Sequence, residues 1–131
     1  MDIVVKRVGK KKLDKLIRAM EYIKTHLAKN PSLPETAGNI DVSPSYLSRV
    51  FIDCLHTPYS VFVLNEKIWY AQKLLVDSKM SMAEIAGAAG FSSGAYFSDC
   101  FKRITGMPPL QFRKAYTTEE RAVKSQAGRK A

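Results

Sequence analysis

Apolar residues along this chain recur every three or four positions and never alternate, which is the spacing of amphipathic helices rather than strands. The first stripe runs through Leu13, Leu16, Ile17, Met20, Ile23 and Leu27 and stops at Asn30-Pro31. Ser32-Leu33-Pro34-Glu35 and Ser81-Met82-Ala83-Glu84 read as capping boxes, and Ser43-Pro44, Thr57-Pro58, Ser92-Ser93 and Pro108-Pro109 as further helix starts. These signals predict an all-α fold of seven helices, over 12–29, 33–39, 44–54, 58–77, 81–88, 93–104 and 108–116.

The pattern also repeats. Shifted by 49 positions, Ser32, Glu35, Ala37 and Gly38 meet Ser81, Glu84, Ala86 and Gly87. Shifted by 50, Tyr46, Ser48, Phe51 and Pro58 meet Tyr96, Ser98, Phe101 and Pro108. The one-residue slip falls in the turn between two short helices, so each copy reads as a helix, a tight turn and a second helix. Two helices that cross closely need a small residue at the crossing, supplied by Ala37 and Ala86. The turn then needs a residue that tolerates positive φ. Gly90 suits that place, and Asp41 is tolerated there. Val42 and Phe91 plug the turns.

The inner face of the second helix is expected to be Leu47, Val50, Phe51 and Cys54 in the first copy, and Phe97, Cys100, Phe101 and Ile104 in the second. The opposite faces hold Ser45, Ser48, Arg49 and Ile52, and then Ala95, Ser98, Asp99 and Lys102, with Arg103 beside them. Those faces would enter the major groove of duplex DNA. From Pro58 to Asp77 the connecting helix is long enough, at ~30 Å, to match the ~34 Å between successive major-groove faces. Its expected packing residues are Tyr59, Phe62, Val63, Trp69, Leu74 and Leu75.

Charge fits such a partner. The 131 residues carry 21 Lys+Arg against 12 Asp+Glu, a net charge of +9. Residues 1–18 have net +5 and 113–131 net +4, while 19–112 are neutral. Nucleic acid or an anionic surface is implied. No apolar run reaches the ~20 residues of a membrane span, and the N-terminus lacks a signal-peptide pattern, so a soluble, cytoplasmic chain with no membrane partner is expected. Cys54 and Cys100 read as small buried hydrophobes in a reducing compartment, and neither they nor His26 and His56 have metal-ligand spacing. With no phosphate-binding glycine loop and no nucleophile–base set, no enzyme activity, catalytic residue, metal or cofactor is expected.

Ile85-Ala86, Gly90-Phe91, Tyr96-Phe97, Phe101-Lys102, Gly106, Pro109 and Phe112-Arg113 together resemble the signature of AraC/XylS-type transcription regulators. The first copy follows it less completely, through Ser43, Tyr46-Leu47, Ser48-Arg49, Phe51, Lys67-Ile68, Ala71 and Leu74-Leu75. The resemblance covers about residues 12–116 and implies two helix-turn-helix motifs that bind promoter DNA, usually to activate transcription. It also implies a bacterial, nucleoid-associated location and contact with RNA polymerase. Where that family usually has Gly, this chain has Asp41 and His56. Where it usually has Arg it has Lys67, and Ile52 and Asp99 replace more basic or polar residues.

The expected organisation is a basic arm or linker over 1–11, a helix-turn-helix subdomain over 12–57, a connecting helix over 58–77, a second subdomain over 78–116, and a basic, disordered tail over 117–131. The expected function is a sequence-specific regulator, an activator, binding an asymmetric double-stranded promoter site as a monomer. A non-specific nucleoid-type DNA-binding protein is one alternative. A module that docks on RNA polymerase is another. The stretch from Asp2 to Val8 resembles linker more than domain, so the chain is read as stand-alone, the alternative being the DNA-binding end of a longer ligand-sensing regulator.

Overall fold

A computed structural model of the chain describes residues 9–117. Among them lie seven α-helices, one 3-10 turn and no strand. We label the helices α1 (Lys10–Thr25), α2 (Leu33–Asn39), α3 (Pro44–Leu55), α4 (Tyr59–Asp77), α5 (Met82–Ala88), α6 (Gly94–Thr105) and α7 (109–117). The arm as far as Val8, and the expected tail from 118 onward, lie outside the described residues.

Helix α1 departs most from expectation. It begins at Lys10, because Gly9 holds φ at 84° and breaks the chain just before it. Lys10 and Lys11 are therefore helical rather than part of an arm. It ends at Thr25 instead of 29: the Thr25 hydroxyl donates to the carbonyls of Glu21 and Tyr22, both at 3.1 Å. A 3-10 turn, Leu27–Lys29, then leads to Asn30 at φ 54°.

Contacts divide the chain into two compact units, Met1–Glu66 and Lys67–Ala131, the division falling inside α4. In the first unit α1, α2 and α3 pack around Leu16, Ala19, Ile23, Leu47, Val50 and Phe51, all buried. Phe51 meets Tyr59 edge-on at 5.3 Å and Phe62 at 5.2 Å. Burial of such a ring contributes roughly 1.5–3 kcal/mol. The Tyr59 hydroxyl is satisfied inside this core. It donates to the Pro31 carbonyl at 2.9 Å and lies 2.6 Å from Thr36 Oγ1, so the buried Thr36 also has a partner. In the second unit Phe91, Phe97, Phe101 and Phe112 form a chain of ring contacts at 5.1, 5.7 and 5.2 Å. Arg113 on α7 ties that helix to the end of α4, donating to the carbonyls of Leu75 (2.9 Å), Ser78 (3.3 Å) and Met80 (2.8 Å).

The repeat is visible bond by bond. Val42 N–H donates to the Ala37 carbonyl at 3.0 Å, and Phe91 N–H to the Ala86 carbonyl at 2.9 Å. Ala37 and Ala86 are both buried at the crossing. Ser43 and Ser93 cap α3 and α6 by accepting from Tyr46 N–H and Tyr96 N–H, each at 3.1 Å. Asp41 (φ 58°) answers to Gly90 (φ 86°), and His56 (φ 53°) to Gly106 (φ 89°).

Several expectations are corrected. The capping box is complete only at Ser81 and Glu84, with both bonds at 3.1 Å. Ser32 caps α2, but the Glu35 carboxylate is taken by the Tyr22 hydroxyl at 2.7 Å. Cys54 is only half-buried, and its counterpart Ile104 is 43% exposed. Both stand in the last turn of 12-residue helices whose partners α2 and α5 have only seven residues, so the inner stripe outruns the helix that covers it. Ile17 (41% exposed) lies at the edge of the α1 stripe, with Ala19 in the core instead. Trp69 is 57% exposed, with Lys73 Nζ 5.4 Å from its ring centre.

A candidate DNA-reading surface on two recognition helices

Helix α3 exists because Ser43 caps it, Pro44 starts it, and Leu47, Val50 and Phe51 bury its inner face. That leaves Ser45, Arg49 and Ile52 exposed and Ser48 half-exposed. The four predicted residues come together in one shallow depression, where Asp53 joins them. Asp53 was not among the residues singled out from the sequence. Its signal was its place four positions after Arg49, but its partner comes from elsewhere in the chain. Lys12 on α1 donates to Asp53 Oδ2 at 2.7 Å. This hydrogen bond holds the Asp53 carboxyl below its ordinary 3.8, aided by the charges of Lys12, Arg49 and His56 and opposed by desolvation. The same bond raises the Lys12 ammonium above its ordinary 10.5. Among the described residues Arg49 makes no ion pair.

Helix α6 buries Phe97, Cys100 and Phe101 and turns Ala95, Ser98, Asp99, Lys102 and Arg103 to solvent. The expected option of an Asp99–Arg103 pair is not taken. Arg103 instead directs its guanidinium to Cys100 Sγ at 3.9 Å, and among the described residues Asp99 makes no ion pair. Lys67, which stands where the resemblance has Arg, is not on this surface. It is buried with Nζ 5.4 Å from the centre of the Phe91 ring, and that burial pushes its pKa down from 10.5.

Two exposed helix faces thus carry different chemistry: hydroxyls, an arginine and an isoleucine on α3, a carboxylate and two cations on α6. Among the described residues no group of three or more His, Cys, Asp or Glu is placed to hold a metal ion. Burial raises the Cys54 thiol above its ordinary 9.0, which disfavours the thiolate. Among the same residues no helix is long and apolar enough to cross a membrane.

The family profile described as "Helix-turn-helix domain" matches residues 36–115. An uncharacterized HTH-type transcriptional regulator of Bacillus subtilis, YfiF, is 39% identical over 95 residues, covering 72% of this chain and 30% of that protein. The arabinose operon regulatory protein of Escherichia coli is 34% identical over 103 residues, 77% of this chain and 35% of that one. Overall the chain spans about a third of the length of such curated relatives. Among solved structures, an AraC-type DNA-binding transcriptional regulator from Chromobacterium violaceum superposes with a TM-score of 0.75 at 28% identity, over 78% of this chain and 91% of that one. The DNA-binding domain of AdpA, solved in complex with a target DNA, gives 0.74 at 25% identity, over 79% and 94%.

Proposed function

Because this chain belongs to the AraC-type helix-turn-helix family of DNA-binding transcription regulators, we propose that it reads a specific, asymmetric promoter sequence and activates transcription from it. The family and the relatives just described are regulators and not enzymes. The observation that carries the finer reading is the depression on α3, where Ser45, Ser48, Arg49 and Ile52 meet. Hydroxyls and a guanidinium that makes no ion pair among the described residues suit base edges in a major groove, and Arg pairs bidentately with guanine O6 and N7. Helix α6 does less base reading. Ala95 and Ser98 offer little hydrogen bonding, and Asp99 is repelled by phosphate unless it accepts from a cytosine amine. It serves mainly to position the domain, through Lys102, Arg103 and backbone amides.

The two faces differ, so the two half-sites differ, and one chain suffices where a symmetric dimer would need a palindrome. The basic residues outside 19–112 add phosphate attraction. Activation calls for a surface that contacts RNA polymerase, and the place of action is the bacterial cytoplasm, on the nucleoid. The boundaries proposed for the reading units remain 12–57 and 78–116, on either side of the connecting helix.

Competition tests this. A duplex is enriched from a randomised pool by the wild-type chain, then challenged with random-sequence DNA over a range of salt. The enriched duplex should keep a large advantage, and log affinity should fall with log salt by about 0.9 per phosphate neutralised. Equal competition by random DNA would support the non-specific nucleoid reading instead.

A further inference from the structure

Arg49 and Asp53 lie four residues apart on α3, close enough for a helical ion pair. Position for position, the second repeat has Asp99 and Arg103, the same two charges in reverse order. Each recognition helix could therefore cancel its own groove-facing charge. Neither does: on α6 Arg103 directs its guanidinium to Cys100 Sγ, and on α3 a charge from another helix takes Asp53. Lys12 of α1, 41 positions away in sequence, binds Asp53 at 2.7 Å, with about a third of each side chain exposed. Lys12 is held there by structure: it lies in the first helical turns of α1, whose Leu16, Ala19 and Ile23 are buried in the same unit.

We propose that Lys12 is a positioning residue for the first recognition helix: it neutralises Asp53 and thereby leaves Arg49 free to meet DNA. This rests on the DNA-reading assignment above. Without Lys12, the Asp53 carboxylate would stand uncompensated at the edge of the reading surface. There it would draw Arg49 onto itself and repel the nearest phosphates. Lys12 thus acts through Asp53, and its own contact with DNA is not required.

The test is a rescue. Lys12→Gln, Asp53→Asn and the double variant are titrated at fixed salt with the duplex enriched by the wild-type chain and with a scrambled duplex of the same composition. Lys12→Gln should weaken binding to the enriched duplex about 2–5-fold, the scale of an exposed ion pair. The double variant should return to the wild-type affinity, since the carboxylate that needed neutralising is gone. Its salt slope should also match the wild type. If Lys12 instead binds phosphate directly, both Lys12 variants lose about 0.9 from the slope, and Asp53→Asn rescues nothing. That result overturns the proposal, as does a Lys12→Gln variant that binds like wild type. A purely structural latch would lower the melting temperature of all three variants without restoring affinity in the double one, which also overturns it. Circular dichroism confirms that each variant is folded. A wild-type chain that enriches no duplex contradicts the DNA-reading assignment itself, whereas enrichment without rescue contradicts only the role of Lys12.

Discussion

Arg49 and Asp99 occupy equivalent places in the two repeats, and under the proposed function their opposite charges divide the work between them. Arg49 is exposed and makes no ion pair among the described residues. Arg49→Ala should relax preference at one base pair near the centre of a half-site, by about 1–3 kcal/mol of discrimination. Affinities for single-base variants of the enriched duplex check this, and a uniform loss across all variants would reduce Arg49 to a phosphate contact. Asp99→Asn keeps the shape of α6 and removes a carboxylate that makes no ion pair among the described residues and that the proposed reading sets against phosphate. It should preserve or raise affinity for random DNA and leave the preferred sequence alone. Loss of a preferred cytosine in the second half-site would make Asp99 a direct reader. These residues were legible in the sequence, because a helix face follows from residue spacing alone. Lys12 and Asp53 were not. Their pairing joins positions 41 apart, and nothing local to either residue announces it.

At the scale of the element, backbone conformation carries the repeat better than side-chain identity does. His56 and Gly106 end α3 and α6 in the same left-handed conformation, at φ 53° and 89°. The strain that a side chain feels there, about 1–2 kcal/mol, is partly offset by the greater freedom of glycine in the unfolded chain. His56→Gly should therefore stabilise the first unit by roughly 0.5 kcal/mol. A Cβ at Gly106 meets nothing within 4 Å, so Gly106→Ala isolates the backbone term and should cost about 1 kcal/mol. Thermal unfolding of both variants measures the pair, and equal effects of the same sign would be inconsistent with this account.

The N-terminus of α5 gives a pH signature. The Ser81 backbone N–H, and then its side chain, hold the Glu84 carboxyl below its ordinary 4.5. Depression of a folded-state pKa means stability that is complete above 4.5 and lost as pH falls through the folded value. Acidification should thus destabilise the wild type more than Glu84→Gln, as read from melting temperatures between about pH 6 and pH 3. A parallel decline in both would remove Glu84 from the account. Helix existence and caps were readable because they depend on local chemistry. The half-formed box at Ser32 was not, since Tyr22 reaches Glu35 from α1. Nor was the exposure of Ile104, because periodicity gives the direction of a stripe but not the length of the helix that covers it.

For the whole molecule, the repeat and the charge distribution together specify the function more closely than either alone. A duplicated helical unit needs no nucleic acid, and a basic chain needs no particular fold. What joins them is a pair of unlike recognition helices, each held on its own compact unit, in a chain whose net charge is +9 with a neutral stretch over 19–112. On the proposed function, attraction to phosphate comes chiefly from beyond that stretch, and preference for sequence from α3. The resemblance read from Ile85-Ala86, Gly90-Phe91, Tyr96-Phe97 and Phe112-Arg113 has structural causes. Ile85, Ala86, Phe91 and Phe97 are buried, Gly90 takes positive φ, and Arg113 secures three carbonyls.

The central claim is that one chain reads one asymmetric duplex site with two unlike helices. Hydroxyl-radical footprinting of the enriched duplex, at a measured stoichiometry of chain to DNA, tests it most directly. The account predicts one chain per duplex and two protected segments about one helical turn apart within ~20 bp, with unrelated sequences in the two segments. A palindromic site that requires two chains, or protection spread evenly along the duplex, would contradict it.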